Sequence, residues 1–333
     1  MRRTIFCFLL LIAVFQSCNH PVPQYVTNNG SIFGTYYHII YESPDGEDWV
    51  LDIEAELNRL DMSLSTYKKE SVLSKVNTNQ PVVLDSLFIN VFNRSQEISE
   101  ITGGAFDATV APLVNAWGFG FRKKENVTPA IIDSIESFVG YHKVRLTDGQ
   151  IVKDDPRLML DFSAIAKGYA VDVIAQLLHQ KGSINYMVEI GGEVVAKGVN
   201  KEGNIWRIGI NEPNENEPDV PQALQAIVGL KNKALATSGN YRNFYYENGK
   251  RFAHTIDPKT GYPVEHSLLS ATVMANDCMT ADAYATAFMV MGVKKAQELI
   301  KTIDQIDVFL IYNDDEGENK VLMTTGFQSY LKD

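Results

Sequence analysis

The chain has 333 residues, 45% of them hydrophobic, and a formal net charge of -11 at pH 7. A chain of this length and composition can bury the core of one large domain or of two small ones. The negative charge, without a stripe of Lys and Arg to neutralise phosphates, argues against nucleic acid as a partner.

The N-terminus has the layout of a secretory signal peptide. Met1-Arg2-Arg3 is a short basic start. It precedes Thr4–Phe15, which is almost wholly apolar but shorter than the about 20 apolar residues of a membrane-spanning helix. Ser17 followed by Cys18 is similar to a lipoprotein box. We therefore expect residues 1–17 to be a signal peptide, Cys18 to be lipidated, and residues 18–30 to form a polar tether. The alternative is an ordinary signal peptide with an unrelated cysteine.

Cysteine usage excludes disulfide stabilisation of the mature chain. Cys7 lies in the predicted signal peptide and Cys18 would be acylated, which leaves Cys278 alone. No intramolecular disulfide can then form, so the fold depends on its core even in an oxidising compartment.

Apolar periodicity predicts a mixture of strands and helices. The predicted strands are Ile32–Tyr41, Tyr186–Ile190, Trp206–Ile210, Ala226–Leu230, Asn243–Glu247, Arg251–Ile256, Leu269–Val273 and Val308–Tyr312. The predicted helices are Trp49–Ser63, Leu87–Ile101, Ser163–Gln180, Thr280–Met291 and Lys294–Thr302, and the acidic, Pro-containing segment Asn211–Pro221 is a predicted surface loop. The elements do not alternate strictly and no linker divides the chain, which favours an α+β fold over a doubly wound sheet.

Several common catalytic motifs are absent from the sequence. It contains no GxxxxGK[ST], HExxH, GxSxG or strand-linked GxGxxG motif, and no His pairs with a Cys at zinc spacing. The corresponding NTPase, zincin, serine-hydrolase, Rossmann and structural-zinc interpretations therefore have no support.

The predicted helix Thr280–Met291 is apolar nearly all round, which is typical of a buried helix. Past the first residues of this helix, the polar side chains apart from Tyr284 are those of Asp282 and Thr286. At i and i+4 they share one face. A buried carboxylate needs a cation or strong donors, and Mg²⁺ prefers oxygen ligands of this kind. Capping of the helix start by Asp282 is the open alternative.

Two further segments carry candidate groups. In Asp161–Tyr169, Ser163 suits a helix N-cap and Lys167 follows one turn later, a plausible diphosphate site, although a solvated Lys167 is the commoner arrangement. In His254–Gly261, His254 is a candidate general base or a packed strand histidine, and the Asp-Pro turn after it is more typical of structure than of catalysis.

Thr102–Asp107 is a glycine turn that carries an aromatic ring and a carboxylate. Phe106 and Asp107 are suited to stack on a planar ring and hydrogen-bond to it. The same residues also suit a helix stop followed by a capped loop, so this segment alone does not distinguish a binding site from a turn.

Taken together, these segments resemble the ApbE family. The matching stretches are Phe33-Gly34-Thr35, Thr102–Asp107, Trp117–Gly120, Asp161–Gly168, Glu189–Glu193, Thr237-Ser238-Gly239, His254–Pro263 and Ala281-Asp282-Ala283 with Thr286. Each is ordinary alone, but the ordered set spans about residues 31–290 and is highly specific. The sequence departs from the family pattern at Phe33, where Met is usual, and at Asn240, where Asp is usual.

The resemblance implies a single α+β domain over residues 31–333, of ApbE type, with mixed sheets and packed helices. It implies that Asp282, Thr286 and the carbonyl of Ala164 bind Mg²⁺ and that His254 is the catalytic base. The FAD contacts that it implies are Phe33, Tyr67, Ala105, Phe106, Asp107, Asp161, Lys167 and Ile256.

The activity that the resemblance implies is Mg²⁺-dependent transfer of FMN from FAD to a Thr or Ser hydroxyl of a partner protein, with release of AMP. Family acceptors include subunits of membrane redox complexes, which suits a lipid-anchored enzyme facing the periplasm or cell exterior. Two alternatives stay open: an Mg²⁺-dependent FAD diphosphatase, and a flavin-binding lipoprotein without turnover.

Overall fold

The computed structural model describes residues 23–120, 127–213, 223–240, 244–247 and 250–332. The helices are α1 Val50–Leu64, α2 Val72–Asn77, α3 Ser86–Ile101, α4 Ala111–Ala116, α5 Pro129–Glu136, α6 Ala166–Gln180, α7 Cys278–Ile300 and α8 Thr325–Gln328, with a 3₁₀ turn at Tyr141–Lys143. The strands are β1 Gln24–Ile32, β2 Thr35–Ser43, β3 Val144–Thr147, β4 Gln150–Lys153, β5 Tyr186–Ile190, β6 Glu193–Lys197, β7 Trp206–Asn211, β8 Leu224–Leu230, β9 Lys233–Gly239, β10 Phe244–Glu247, β11 Lys250–Ala253, β12 Leu268–Ala275, β13 Asp307–Asn313, β14 Asn319–Met323 and β15 Leu331–Lys332.

One eight-stranded sheet organises the molecule, in the order β1-β2-β5-β6-β9-β12-β13-β14. All of its pairings are antiparallel. Antiparallel neighbours need no crossover helix between them, which accounts for the lack of a strict alternation of strands and helices. The α+β prediction is confirmed.

Both faces of this sheet are covered. Helices α6 and α7 pack on one face, with α1 and α3 outside them, and form the larger hydrophobic core. On the other face a three-stranded sheet, β15-β8-β7, and α8 enclose a second core around Trp206 and Phe327. Strand β12 is buried along its whole length, as expected for a strand covered on both faces.

Three predicted element boundaries are wrong. Residues 24–30, predicted as tether, belong to β1, which pairs with β2 over nine residues. The predicted strand Ile32–Tyr41 is two strands with a turn at Phe33-Gly34. Both errors have one cause, because β1 is an edge strand with mostly polar, exposed side chains and gives no hydrophobic alternation. Its pairing is made by backbone groups, which the sequence does not display.

The third boundary error is the start of α6. Ser163 is not its N-cap, since the helix begins at Ala166 and Ile165 occupies the cap position without a side-chain bond. Ser163 instead donates from its backbone N–H and its hydroxyl to Asp161 Oδ1, at 2.8 and 2.5 Å. This local turn competes with the helix for the first residues.

Other predicted elements differ by a few residues. The two predicted C-terminal helices are one element, α7, interrupted at Gly292, whose φ of 71° and ψ of 170° are not helical. Strand β11 ends at Ala253, and Ile256 forms an isolated bridge with Pro263. Residues 214–221 of the predicted surface loop, and residues 1–22 with Cys18, lie outside the described part. Within that part, no helix is both long and apolar enough to cross a bilayer.

Candidate active site

The predicted site residues come from distant parts of the chain and meet at one cavity of about 440 Å³, here called the main cavity. It is lined by eleven of the twelve predicted FAD, metal and catalytic residues: Tyr67, Ala105, Phe106, Asp107, Asp161, Ala164, Lys167, His254, Ile256, Asp282 and Thr286. The twelfth, Phe33, lines an adjoining cavity of about 580 Å³ that shares Tyr67, Ser163 and Lys167 with it. Both volumes are within the range of small-molecule sites.

Asp282 is the most deeply placed carboxylate of the main cavity. It is 2% exposed, and its Oδ2 accepts a hydrogen bond of 3.0 Å from the Gly168 N–H at the start of α6. Burial raises the pKa of the Asp282 carboxyl, while the Lys167 ammonium and the Gly168 N–H act in the opposite direction. Asp282 does not cap its own helix, because Asp277 is the N-cap of α7 and accepts a hydrogen bond from Thr280 N.

The approach of α6 to α7 depends on glycine at position 168. A Cβ on Gly168 would lie 2.3 Å from the Cys278 carbonyl oxygen and 2.8 Å from the Asp282 Cβ. Asp172, one turn further along α6, accepts bonds of 2.8 Å from the Cys278 and Met279 N–H groups. The two helices are thus joined at the end that carries the site.

Thr286 lies one turn after Asp282 on α7, and its Oγ1 is 3.1 Å from Ser238 Oγ at the end of β9. Ala164 also lines the cavity. It is four residues before Gly168, so its carbonyl is the one that an ordinary helical hydrogen bond from the Gly168 N–H would use, and that N–H donates to Asp282 instead. The cavity therefore presents a carboxylate, hydroxyls and a backbone carbonyl. This is the oxygen-only donor set that suits Mg²⁺.

A second buried carboxylate, Glu193, compensates the charge of Lys167. Its Oε1 is 2.5 Å from Lys167 Nζ, and its side chain is 4% exposed. Burial raises the pKa of Glu193 to about 7 against the opposing effect of Lys167. Burial alone would lower the pKa of Lys167. The negative charges of Asp282 and Glu193 outweigh this effect and raise the pKa of Lys167. Lys167 is therefore held as an ammonium, 31% exposed, beside two carboxylates.

The loops around the cavity are fixed by their own hydrogen bonds. Asp107 is buried, and its oxygens accept from the Thr109 N–H and hydroxyl and from Tyr141 N, at 2.7 to 2.8 Å. Burial raises the pKa of the Asp107 carboxyl. Asp161 N donates to the Ala108 carbonyl at 2.7 Å. Both carboxylates line the cavity, and both also hold its wall in place.

The aromatic and histidine side chains of the wall differ widely in exposure. Phe106 is 2% exposed, whereas Tyr67 is 74% exposed. Phe33 adopts a left-handed φ of 54° in the turn between β1 and β2. The half-buried His254 follows β11, and its ring meets the Phe119 ring edge-on at a centroid distance of 6.4 Å. An imidazole at the rim of a cavity lined by an ammonium can exchange protons with a bound molecule.

Sequence reasoning missed Glu193 and Ser238 as site residues, although both lie in stretches that match the family. A signal for Glu193 existed. The Gly191-Gly192 turn pairs Glu193 with Ile190, so an acidic residue falls on the apolar side of a strand. Ser238 offered no comparable signal, because its meeting with Thr286 depends on how α7 lies on the sheet.

Comparison with known proteins shows the family of the chain. A family model described as the ApbE family matches residues 33–310. An FAD:protein FMN transferase of Haemophilus influenzae is 41% identical over 308 residues, 88% of each chain, and one of Vibrio cholerae is 36% identical over 97% of this chain and 96% of its own.

Solved structures give the same result. The flavin transferase ApbE from Vibrio cholerae superposes with a TM-score of 0.84 at 35% identity, over 93% of this chain and 100% of the other. The apo form of Pseudomonas stutzeri flavinyl transferase ApbE superposes with a TM-score of 0.81 at 32% identity, over 92% and 97% of the two chains.

Proposed function

The chain belongs to the ApbE family, and from that premise we propose that it is an FAD:protein FMN transferase acting on a Thr or Ser hydroxyl of a partner protein. One observation carries the proposal. The Lys167 ammonium, the Asp282 carboxylate and the Thr286 hydroxyl line one cavity, where an anionic diphosphate and a divalent cation can bind side by side.

The donor set fits Mg²⁺ as the cation. Asp282, the Thr286 hydroxyl and the Ala164 carbonyl would hold it, and a buried carboxylate is stabilised by such a partner. Bound there, Mg²⁺ would offset the negative charge of the diphosphate and of the AMP leaving group. Among the described residues, no group of three or more His, Cys, Asp or Glu side chains has metal-binding geometry.

The protein's own groups account for the remaining steps. Lys167 neutralises charge on the diphosphate and orients it. The acceptor hydroxyl oxygen forms a bond to the FMN-side phosphorus, and the bond from that phosphorus to the bridging oxygen breaks, so that AMP leaves with the electron pair. His254 takes the hydroxyl proton as general base. Phe33, Tyr67, Phe106 and Ile256 supply apolar surface for the rings of FAD.

The test uses the purified protein with FAD, Mg²⁺ and candidate acceptors, which in the family include subunits of membrane redox complexes. Mass spectrometry should find an FMN adduct on a Thr or Ser, with one AMP released per adduct, and no adduct with Asp282→Ala. Release of free FMN and AMP at the same rate with and without acceptor would instead identify an FAD diphosphatase. FAD binding without any turnover would identify a flavin-binding protein.

We also propose that Cys18 is lipidated and anchors the enzyme to the cell membrane, facing the periplasm or the cell exterior. An apolar segment followed by Ser17-Cys18 supports this, and the several acyl chains of a lipoprotein give stable anchoring. Cys18→Ala should move the protein from the membrane to the soluble fraction without changing its activity on FAD. Unchanged membrane association of that variant contradicts the anchor alone.

A further inference from the structure

Glu193 is a carboxylate placed on the core side of the main sheet. Gly191 and Gly192 join β5 to β6, and their φ angles of 66° and 105° are positive, as a two-residue hairpin turn of this kind requires. The register pairs Glu193 with Ile190, and directly paired residues point to the same face. Ile190 is fully buried, so the turn directs Glu193 inward to the main cavity.

The two oxygens of Glu193 are in different situations. Oε1 contacts Lys167 Nζ at 2.5 Å, whereas Oε2 is buried and has no hydrogen-bond partner among the described residues. An unpaired oxygen on a buried carboxylate destabilises the fold. An ion pair selected for stability alone would not leave a carboxylate oxygen unpaired. Replacing buried ion pairs by apolar groups is often neutral or stabilising.

The contact with Glu193 fixes the position of the Lys167 ammonium. A lysine side chain is flexible, and fixing its ammonium costs rotamer entropy. Glu193 fixes it in the ligand-free protein, where 31% of the side chain still opens to the cavity. A phosphate that enters then meets a cation already in place, which lowers the entropic cost of binding and of reaching the transition state.

We propose that Glu193 is a positioning residue for flavin transfer, which acts by holding the Lys167 ammonium at the point where it contacts the diphosphate of FAD. The identity of that anion rests on the proposed function. The contact between Glu193 and Lys167 does not. A structural ion pair that merely joins β6 to α6 would affect folding but not the use of FAD.

A double-mutant cycle separates the two roles. Full-length wild type, Glu193→Ala, Lys167→Met and the double variant are compared for FAD affinity by flavin fluorescence, for kcat and KM of FMN transfer, and for melting temperature. Glu193→Ala should lower kcat/KM about 10- to 100-fold, the value of a lost charged hydrogen bond. In the Lys167→Met background, Glu193→Ala should lower kcat/KM less than about two-fold, because the ammonium that Glu193 positions is absent.

Two further variants sharpen the result. Glu193→Gln keeps an oxygen that accepts from Lys167 and should restore part of the lost rate, and it serves where the Ala variant fails to fold. Glu189→Gln is the matched control, since Glu189 lies on the same hairpin and accepts from Gly192 N at 2.7 Å but does not line the cavity. It should leave FAD affinity and transfer unchanged.

Equal losses from Glu193→Ala in both backgrounds overturn the proposal, as does a fall in melting temperature with unchanged FAD affinity and transfer. Failure of the proposed function is recognised separately. If the wild type transfers FMN to no acceptor, the cycle is read from FAD affinity, and coupling there upholds the positioning role while the transferase proposal falls.

Discussion

Gly168→Ala tests whether the close approach of α6 and α7 builds the site. The new Cβ would lie 2.3 Å from the Cys278 carbonyl oxygen and 2.7 Å from its carbon. Both atoms belong to backbone, so no side-chain rotation relieves the contact. The helices must separate by roughly 0.7 Å to reach even 3.0 Å, below which real Cβ contacts essentially do not occur.

The expected change in the free energy of unfolding combines two destabilising effects and one stabilising effect. Overpacking of this kind costs about 1 to 3 kcal/mol, and loss of the Gly168 N–H bond to Asp282 costs about 1.5 to 3 kcal/mol for a charged acceptor. Replacing Gly by Ala inside a helix contributes about 1 kcal/mol in the other direction. We expect a net loss of about 1.5 to 5 kcal/mol, or roughly 2 to 8 °C in melting temperature for a domain of this size.

Differential scanning calorimetry with a matched control measures this. Gln176 lies on the exposed side of α6, and the stability difference between Gln176→Gly and Gln176→Ala gives the helix-propensity effect alone, with Ala the more stable. At position 168 the order should reverse. Gly168→Ala should also weaken FAD and Mg²⁺ binding, because Asp282 is displaced. A Gly168→Ala protein at least as stable as the wild type would refute the reasoning about this contact.

Three other variants test the site. Asp282→Ala should abolish Mg²⁺-dependent turnover, because the carboxylate that would hold the cation is gone. Full activity with Mg²⁺, measured by AMP release, contradicts the metal assignment. His254→Ala should lower the rate of FMN transfer about 10²- to 10⁴-fold, while the FAD affinity measured by fluorescence stays nearly unchanged. A transfer rate within a few-fold of the wild type would show that another group is the base. Burial raises the pKa of Asp172 to about 7 from 3.8, so its favourable contribution is complete below about pH 4 and is lost as pH rises through 7. In the metal-free protein the Asp172 carboxyl should account for a loss of about 2 kcal/mol between about pH 5.5 and 7. Asp172→Asn should remove that part of the pH dependence in urea titrations and leave the part that Glu193 contributes; an equal slope in both proteins contradicts the prediction.

Local sequence patterns located the long amphipathic helices and several buried strands, but not the central strands β6 and β9. Helix α3 was predicted within one residue of its start, and β5 with its observed bounds, since their apolar side chains repeat with the period of the element. The same reasoning missed β1, β3, β4, β14 and β15, whose side chains are mostly exposed or half-buried. It also missed the short helices α2, α4, α5 and α8, which are too brief to show a period.

The candidate site was reached only partly by the same means. Asp282 and Thr286 stood out because two oxygen-bearing side chains share a face of an apolar helix. His254, Asp161 and Phe106 had no such signal individually, and it was the ordered family resemblance that grouped them. Their roles in metal binding, FAD binding and catalysis stay predictions, although the structure brings all five to one cavity.

The sequence by itself determined the family, the α+β class and the candidate residues for metal binding, FAD binding and catalysis, because motif order and local periodicity are properties of the chain. Only the tertiary structure decided what those residues contact. The pairing of Lys167 with Glu193, the bond from Gly168 to Asp282 and the meeting of Thr286 with Ser238 join segments 26 to 114 residues apart. Such contacts depend on strand order and on the depth to which one helix packs against another, and these arise from the packing of the whole core.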